Sequence, residues 1–120
     1  MAEPHDIPTA AGLVEAVREF LERDVMPATE GRVHFHSRVA VNVLRMVERE
    51  LALGDDQARA HAAALAQLGV ASEAELVAAI RAGELDGRLA QVREVVTATV
   101  RAKLDVANPA YLEGPRPPVR

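Results

Sequence analysis

The stretch from Gly31 to Gly54, GRVHFHSRVAVNVLRMVERELALG, is the longest uninterrupted helical pattern in the chain and constrains everything around it. Projected at 100° per residue, Val33, His36, Ala40, Val43, Leu44, Val47 and Leu51 share one face. Phe35, Val39 and Met46 form a second apolar seam beside it, and Arg38, Asn42, Arg45 and Arg49 line the remaining side. An apolar surface this wide marks a central helix that touches several neighbours. Gly54 reads as its left-handed terminator.

The segments on either side follow the same logic. Thr9 can cap a first helix whose stripe is Leu13, Val14, Val17, Phe20, Leu21 and Val25. Pro27 is expected to stop it. After Gly54, Asp55 or Asp56 can cap a third, alanine-rich helix that closes at Gly69. Ser72-Glu73-Ala74-Glu75 has the spacing of a capping box and opens a short fourth helix that breaks at Gly83. A fifth helix carries Leu89, Val92, Val96, Val100 and Leu104 and ends before Asn108-Pro109.

The expected architecture is therefore all-α: a single small bundle of four to five helices with short loops over residues 1–112. Residues 113–120, with three prolines and no apolar period, read as a Pro-rich flexible tail. Alanine supplies 23 of 120 residues and the only aromatics are Phe20, Phe35 and Tyr111, which suits thin, closely packed helices better than a sheet.

Several function classes are excluded by composition. With no cysteine there is neither a disulfide framework nor a thiolate metal site. The N-terminal MAEPHDIP lacks a secretory pattern, and no apolar run reaches the ~20 residues of a membrane span, so a cytoplasmic protein without membrane attachment is expected. A net charge of −4 argues against general nucleic-acid binding. Charge alternates along the chain, however, with net basic character in residues 31–53 and 88–120 and net acidic character in the segments before each. Complementary helices within a bundle would account for this, as would a basic face kept for an acidic partner.

The search for chemistry finds no catalytic residue, metal or cofactor to expect. His34 and His36 are two apart, hence about 200° apart around a helix, and cannot clasp one ion. His36 is expected as a hydrogen-bonded structural histidine in the core. Ser72 serves as a cap, Lys103 is the only lysine, and no glycine-rich phosphate loop is present. What remains is the row Arg38, Asn42, Arg45 and Arg49, whose guanidinium forks suit carboxylates or phosphates. These arginines could pair with Glu15, Glu19 or Glu22 across the bundle, or with Glu48 and Glu50 locally, or they could meet a partner or an anion. The Phe35/Val39/Met46 seam is expected to be covered by other helices of the chain.

Three segments, HDIPTAAGLVEAVREFLERDVMPA, RVHFHSRVAVNVLRMVERELALG and RAKLDVANPAYL, together resemble a bacterial family of small helical domains of unknown function. The likeness spans residues 5–112, with the middle segment the most specific, at His36, Arg38, Asn42, Arg45 and Glu48. Members are typically encoded beside an aminoglycoside-phosphotransferase-type kinase and an acyl-CoA dehydrogenase. The chain is also similar to the small accessory protein of the levulinate-catabolism kinase. The resemblance implies a non-catalytic subunit that assists a kinase acting on 4-hydroxyacyl-CoA. From the residues themselves, a small-molecule module holding acyl-CoA through the arginines and a homo-oligomer self-paired through the second seam stay open as alternatives.

Overall fold

A computed structural model of the chain describes residues 4–114, and over these residues the protein is all-α, with no strand. The helices are α1 (Ala10–Phe20), α2 (Met26–Ala28), α3 (Gly31–Gln67), α4 (Glu73–Arg81) and α5 (Leu89–Ala107), with 3-10 turns at Asp86–Arg88 and Pro109–Glu113. The chain divides into two compact units, Met1–Leu53 and Gly54–Arg120. Of the expected flexible tail, Glu113 ends the last 3-10 turn and Gly114 caps it. Residues 115–120 lie outside the described residues.

Two sequence expectations are corrected along the chain. The first concerns Pro27, which does not stop the first helix. A wide π turn, Leu21–Val25, follows α1 directly and leads into α2, with Pro27 inside its first turn. Proline is disruptive in a helix because it lacks an N–H and its ring crowds the carbonyl four residues back. Shifting the ladder to the longer π spacing just upstream relieves that clash. The segment ends at Thr29, whose backbone is extended and whose hydroxyl donates to the Val25 carbonyl at 2.7 Å.

The second correction concerns Gly54. It does not terminate a helix; α3 runs through it for 37 residues, and no separate third helix begins at Asp55 or Asp56. Gly54 is absent from the positive-φ glycines, which are Gly31, Gly69, Gly83 and Gly114. Glycine permits a left-handed cap but does not impose one. Here the residues beyond it are held by contacts of their own, Gln57 to the Ala102 carbonyl and Leu65 in the core, and an interior glycine costs only about 1 kcal/mol relative to alanine.

The true end of α3 is a Schellman closure at Gly69. The Val70 N–H donates to the Leu65 carbonyl at 3.1 Å and the Gly69 N–H to the Ala66 carbonyl at 3.0 Å. Val70 packs on the core beside Leu65, as that motif favours. Gly83 closes α4 in the same way, with Glu84 donating to Ala79 and Gly83 to Ile80. The other two N-caps read from sequence, Thr9 and Ser72, are present. Thr9 accepts from Gly12 N at 3.2 Å and Ser72 from Glu75 N at 3.1 Å. The Glu75 carboxylate reaches back to the Ala71 N–H, one residue before the position a strict capping box uses.

The packing differs sharply between the units. In the second, Leu65, Leu68, Leu76, Ala79, Leu85, Val92 and Val95 form one buried cluster from α3, α4, the following turn and α5. Each buried leucine there is worth about 1.5–3 kcal/mol. Gln57 Nε2 donates to the Ala102 carbonyl at 2.9 Å, tying α5 to α3. In the first unit the only buried residues described are Ser37 and Val41.

The continuity of α3 yields a direct test. Gly54→Ala is expected to raise stability by about 0.5–1 kcal/mol, because a helix-interior position gains helix propensity. Nothing lies within 4 Å of the added Cβ. Gly69→Ala is expected to lower stability by about 1 kcal/mol, since φ is +77 there. Thermal midpoints of the two variants measured side by side separate an interior glycine from a terminating one.

Candidate functional site

The residues singled out by sequence all lie on α3 in the first unit, and packing against α1 decides what each can do. The inward face of α3 carries His34, Ser37, Val41, Leu44 and Glu48. This is roughly a quarter turn from the most apolar face. Ion pairs account for the difference. Arg18 of α1, half-buried, donates through Nε and Nη2 to the two carboxylate oxygens of Glu48, and through Nη1 to Glu22 at 3.3 Å. Arg45 of α3 donates back to Glu22. The two helices are thus joined by an alternating chain of guanidinium and carboxylate groups.

These contacts show in the acid–base behaviour of the two central residues. The hydrogen bond from Arg45 lowers the Glu22 carboxyl below its ordinary value of 4.5, helped by the charges of Arg45, Arg18 and Arg23 and opposed by partial burial. The hydrogen bond to Glu48 raises Arg18 above its ordinary value against partial burial, with the charges of Glu48, Glu22 and Glu19 adding to it.

Of the arginine row, Arg45 is therefore engaged across the helix pair. Arg38 lies 3.3 Å from the His34 ring, Asn42 is exposed, and Arg49 is half-buried. Arg18, Arg45, Glu48, Arg49 and Ala52 line a shallow open cleft of about 260 Å³. Three guanidinium groups and one carboxylate give that cleft a net positive rim, with Glu22 and Glu48 already held by Arg18 and Arg45, and Arg49 not without a partner of its own.

The expectation for His36 is corrected. His36 is exposed, its ring standing edge-on to Phe35 with centroids 5.4 Å apart. The hydrogen-bonded structural histidine is His34 instead. Its Nδ1 donates to the Met26 carbonyl at 2.8 Å, which leaves Nε2 to accept from Arg38. His36 was assigned inward because it lies on the apolar stripe, and that stripe does not face α1.

The second seam is likewise uncovered. Phe35, Val39 and Met46 are 59 %, 44 % and 37 % exposed, contrary to the expectation that helices of this chain would bury them. Val33, Val43 and Leu51, placed by sequence on the main inward face, are also about half exposed. On α1, Leu13, Val17 and Phe20 are open as well, because Val14, Arg18, Leu21 and Glu22 are the residues turned toward α3.

The second unit holds a cluster that spacing alone did not reveal. His61 of α3 places Nε2 3.2 Å from Glu73 and Nδ1 3.3 Å from the Thr99 hydroxyl, with Lys103 3.9 Å from the same Glu73 oxygen. The order hydroxyl, imidazole, carboxylate suggests nucleophile activation. However, the Thr99 hydroxyl donates its hydrogen to the Val95 carbonyl at 2.9 Å, so His61 does not accept it. The group cross-links α3, α4 and α5. Its other members lie 12 to 42 residues from His61 and reach it only through the helix turns at Gly69 and Gly83.

Among the described residues no three His, Asp or Glu side chains converge as metal ligands, and no helix is long and apolar enough to cross a membrane.

The ion-pair chain predicts an acid sensitivity. A carboxyl held below its ordinary value in the folded state contributes stability that is complete above 4.5 and lost as pH falls through the lower folded value. Urea midpoints of the native chain and of Glu22→Gln are therefore expected to differ most at neutral pH and at low salt. The gap should close on acidification below 4.5. A gap that is constant with pH would mean the Glu22–Arg45 contact contributes nothing.

Comparison with known proteins places the chain in a family without assigning it an activity. No curated protein and no solved structure matches it. A family described as a domain of unknown function, DUF6285, matches residues 27–111, beginning at Pro27 and ending within the 3-10 turn after α5. Since that match covers well over half of the sequence, the chain belongs to the DUF6285 family.

Proposed function

We propose that this protein is a non-catalytic accessory subunit that binds a cytoplasmic phosphotransferase-type kinase acting on hydroxyacyl-CoA in short-chain acid catabolism. The observation that carries the reading is how the chain uses its side chains. The polar groups Arg18, Glu22, Arg45, Glu48, His61 and Glu73 are engaged in contacts between helices and do not converge on a reaction site. Large apolar groups are left outward. Such a surface suits binding to protein. The identity of the partner rests on the likeness of the chain's segments to the accessory protein of a 4-hydroxyacyl-CoA kinase. Arg38 and Asn42, exposed beside Arg45, would meet an acidic surface of that partner.

The open cleft among Arg18, Arg45 and Arg49 favours a second reading, in which the chain itself holds the phosphates of an acyl-CoA. The two readings separate experimentally. Co-expressed with the kinase, the full chain is expected to co-elute on size exclusion and to raise kinase activity. Arg38→Glu should weaken the complex about tenfold. Separate elution at micromolar concentration with unchanged activity overturns the subunit reading. Calorimetric binding of acyl-CoA by the isolated chain, abolished by Arg49→Ala, would instead establish the second.

A further inference from the structure

We infer that the open apolar face of α3 in the first unit packs against the same face of a second copy of this chain, antiparallel, about a two-fold axis beside Val39 and Val43. The inference goes beyond the kinase reading and does not depend on it.

Three observations lead to a second copy. The first is the shortage of burial. In the first unit only Ser37 and Val41 are buried, while Val33, Val39, Val43, Met46 and Leu51 are between 37 % and 55 % exposed along one side of a single helix. With Phe35 and Leu53 at its edge, this face presents on the order of 500 Å² of apolar surface. That is at the upper end of what monomers leave open and over half of the ~800 Å² each partner gives a standard interface.

The second observation is charge. Arg32 and Glu50 stand at opposite ends of the face, both exposed. They are eighteen positions apart, five turns at 3.6 residues per turn, and so lie on one line along the helix. Among the described residues neither takes part in a salt bridge within the chain.

The third is what symmetry does with that spacing. An antiparallel two-fold pairing with Val39 opposite Val43 of the second copy places His36 opposite Met46 and Arg32 opposite Glu50, each contact occurring twice. Every polar end then finds its opposite charge, and between the ends the contact is apolar apart from His36. A parallel pairing would set Arg32 against Arg32 and Glu50 against Glu50, which like-charge repulsion disfavours. The row Arg38, Asn42 and Arg45 lies on a different side of α3, so self-pairing leaves it accessible.

Light scattering on the full chain at tens of micromolar is the test. The expected mass is twice the 12.9 kDa of one chain. Val39→Asp is expected to give a monomer that keeps its helical circular dichroism. Arg32→Glu and Glu50→Arg, at exposed positions where folding is not at stake, should each weaken the dimer about tenfold by replacing two attractive pairs with repulsive ones. The double variant Arg32→Glu/Glu50→Arg restores both pairs in reverse and should recover dimerisation to within about threefold of the native chain. A monomeric native chain overturns the proposal, because the face must then be covered from within the chain or by another protein. A native dimer that is indifferent to the charge variants, or not recovered by the double variant, overturns it too.

Discussion

Guanidinium–carboxylate pairing holds α1 to α3, and most of the character of the first unit depends on it. Arg18 grips Glu48 and reaches Glu22, which Arg45 also holds, so the helices face each other through polar groups. Such pairs are directional and fix which sides of two helices meet, but half-exposed ones contribute little net stability. A helix pair joined in this way is specified without being deeply buried. Its apolar side chains are displaced outward, to where they can serve association.

The second unit is organised on the opposite principle. Leu65, Leu68, Leu76, Leu85, Val92 and Val95 form a contiguous apolar cluster, and its helix ends are closed by Schellman turns and a side-chain cap. Its polar cross-links, Gln57 to Ala102 and His61 to Glu73 and Thr99, stand beside that cluster and do not replace it. One continuous helix therefore passes from surroundings that supply stability to surroundings that supply surface.

Much of this was legible from residue patterns, and the failures share a cause. The all-α class, the caps at Thr9 and Ser72 and the closures at Gly69 and Gly83 follow from local rules that hold whatever surrounds them. Gly54 was misread because glycine allows a left-handed cap without requiring one. Pro27 was misread because a π turn upstream removes the clash that makes proline a breaker. His36 and the Phe35/Val39/Met46 seam were misplaced because the most apolar face of a helix is ordinarily its inward one. Here charge pairing selected the inward side, and no hydrophobic period encodes which arginine meets which glutamate 30 residues away. His61, Glu73 and Thr99 carry no local signature either, since three separate helices bring them together.

The π turn at Leu21–Val25 also bears on how such a chain can change over time. A wide turn holds one more residue than the α-helical turn it replaces, and so rotates everything before it relative to everything after by about 100°. Leu13, Val17 and Phe20 thus belong to a different helical phase from Val25 and Met26, although the segment is helical from end to end. A one-residue deletion there would leave an unbroken helix of ordinary pitch while re-aiming the whole outer face of α1. The π turn therefore gives this chain a place outside its loops where a one-residue insertion or deletion could be absorbed. At this one place a helix can gain or lose a residue and present a different surface without unfolding.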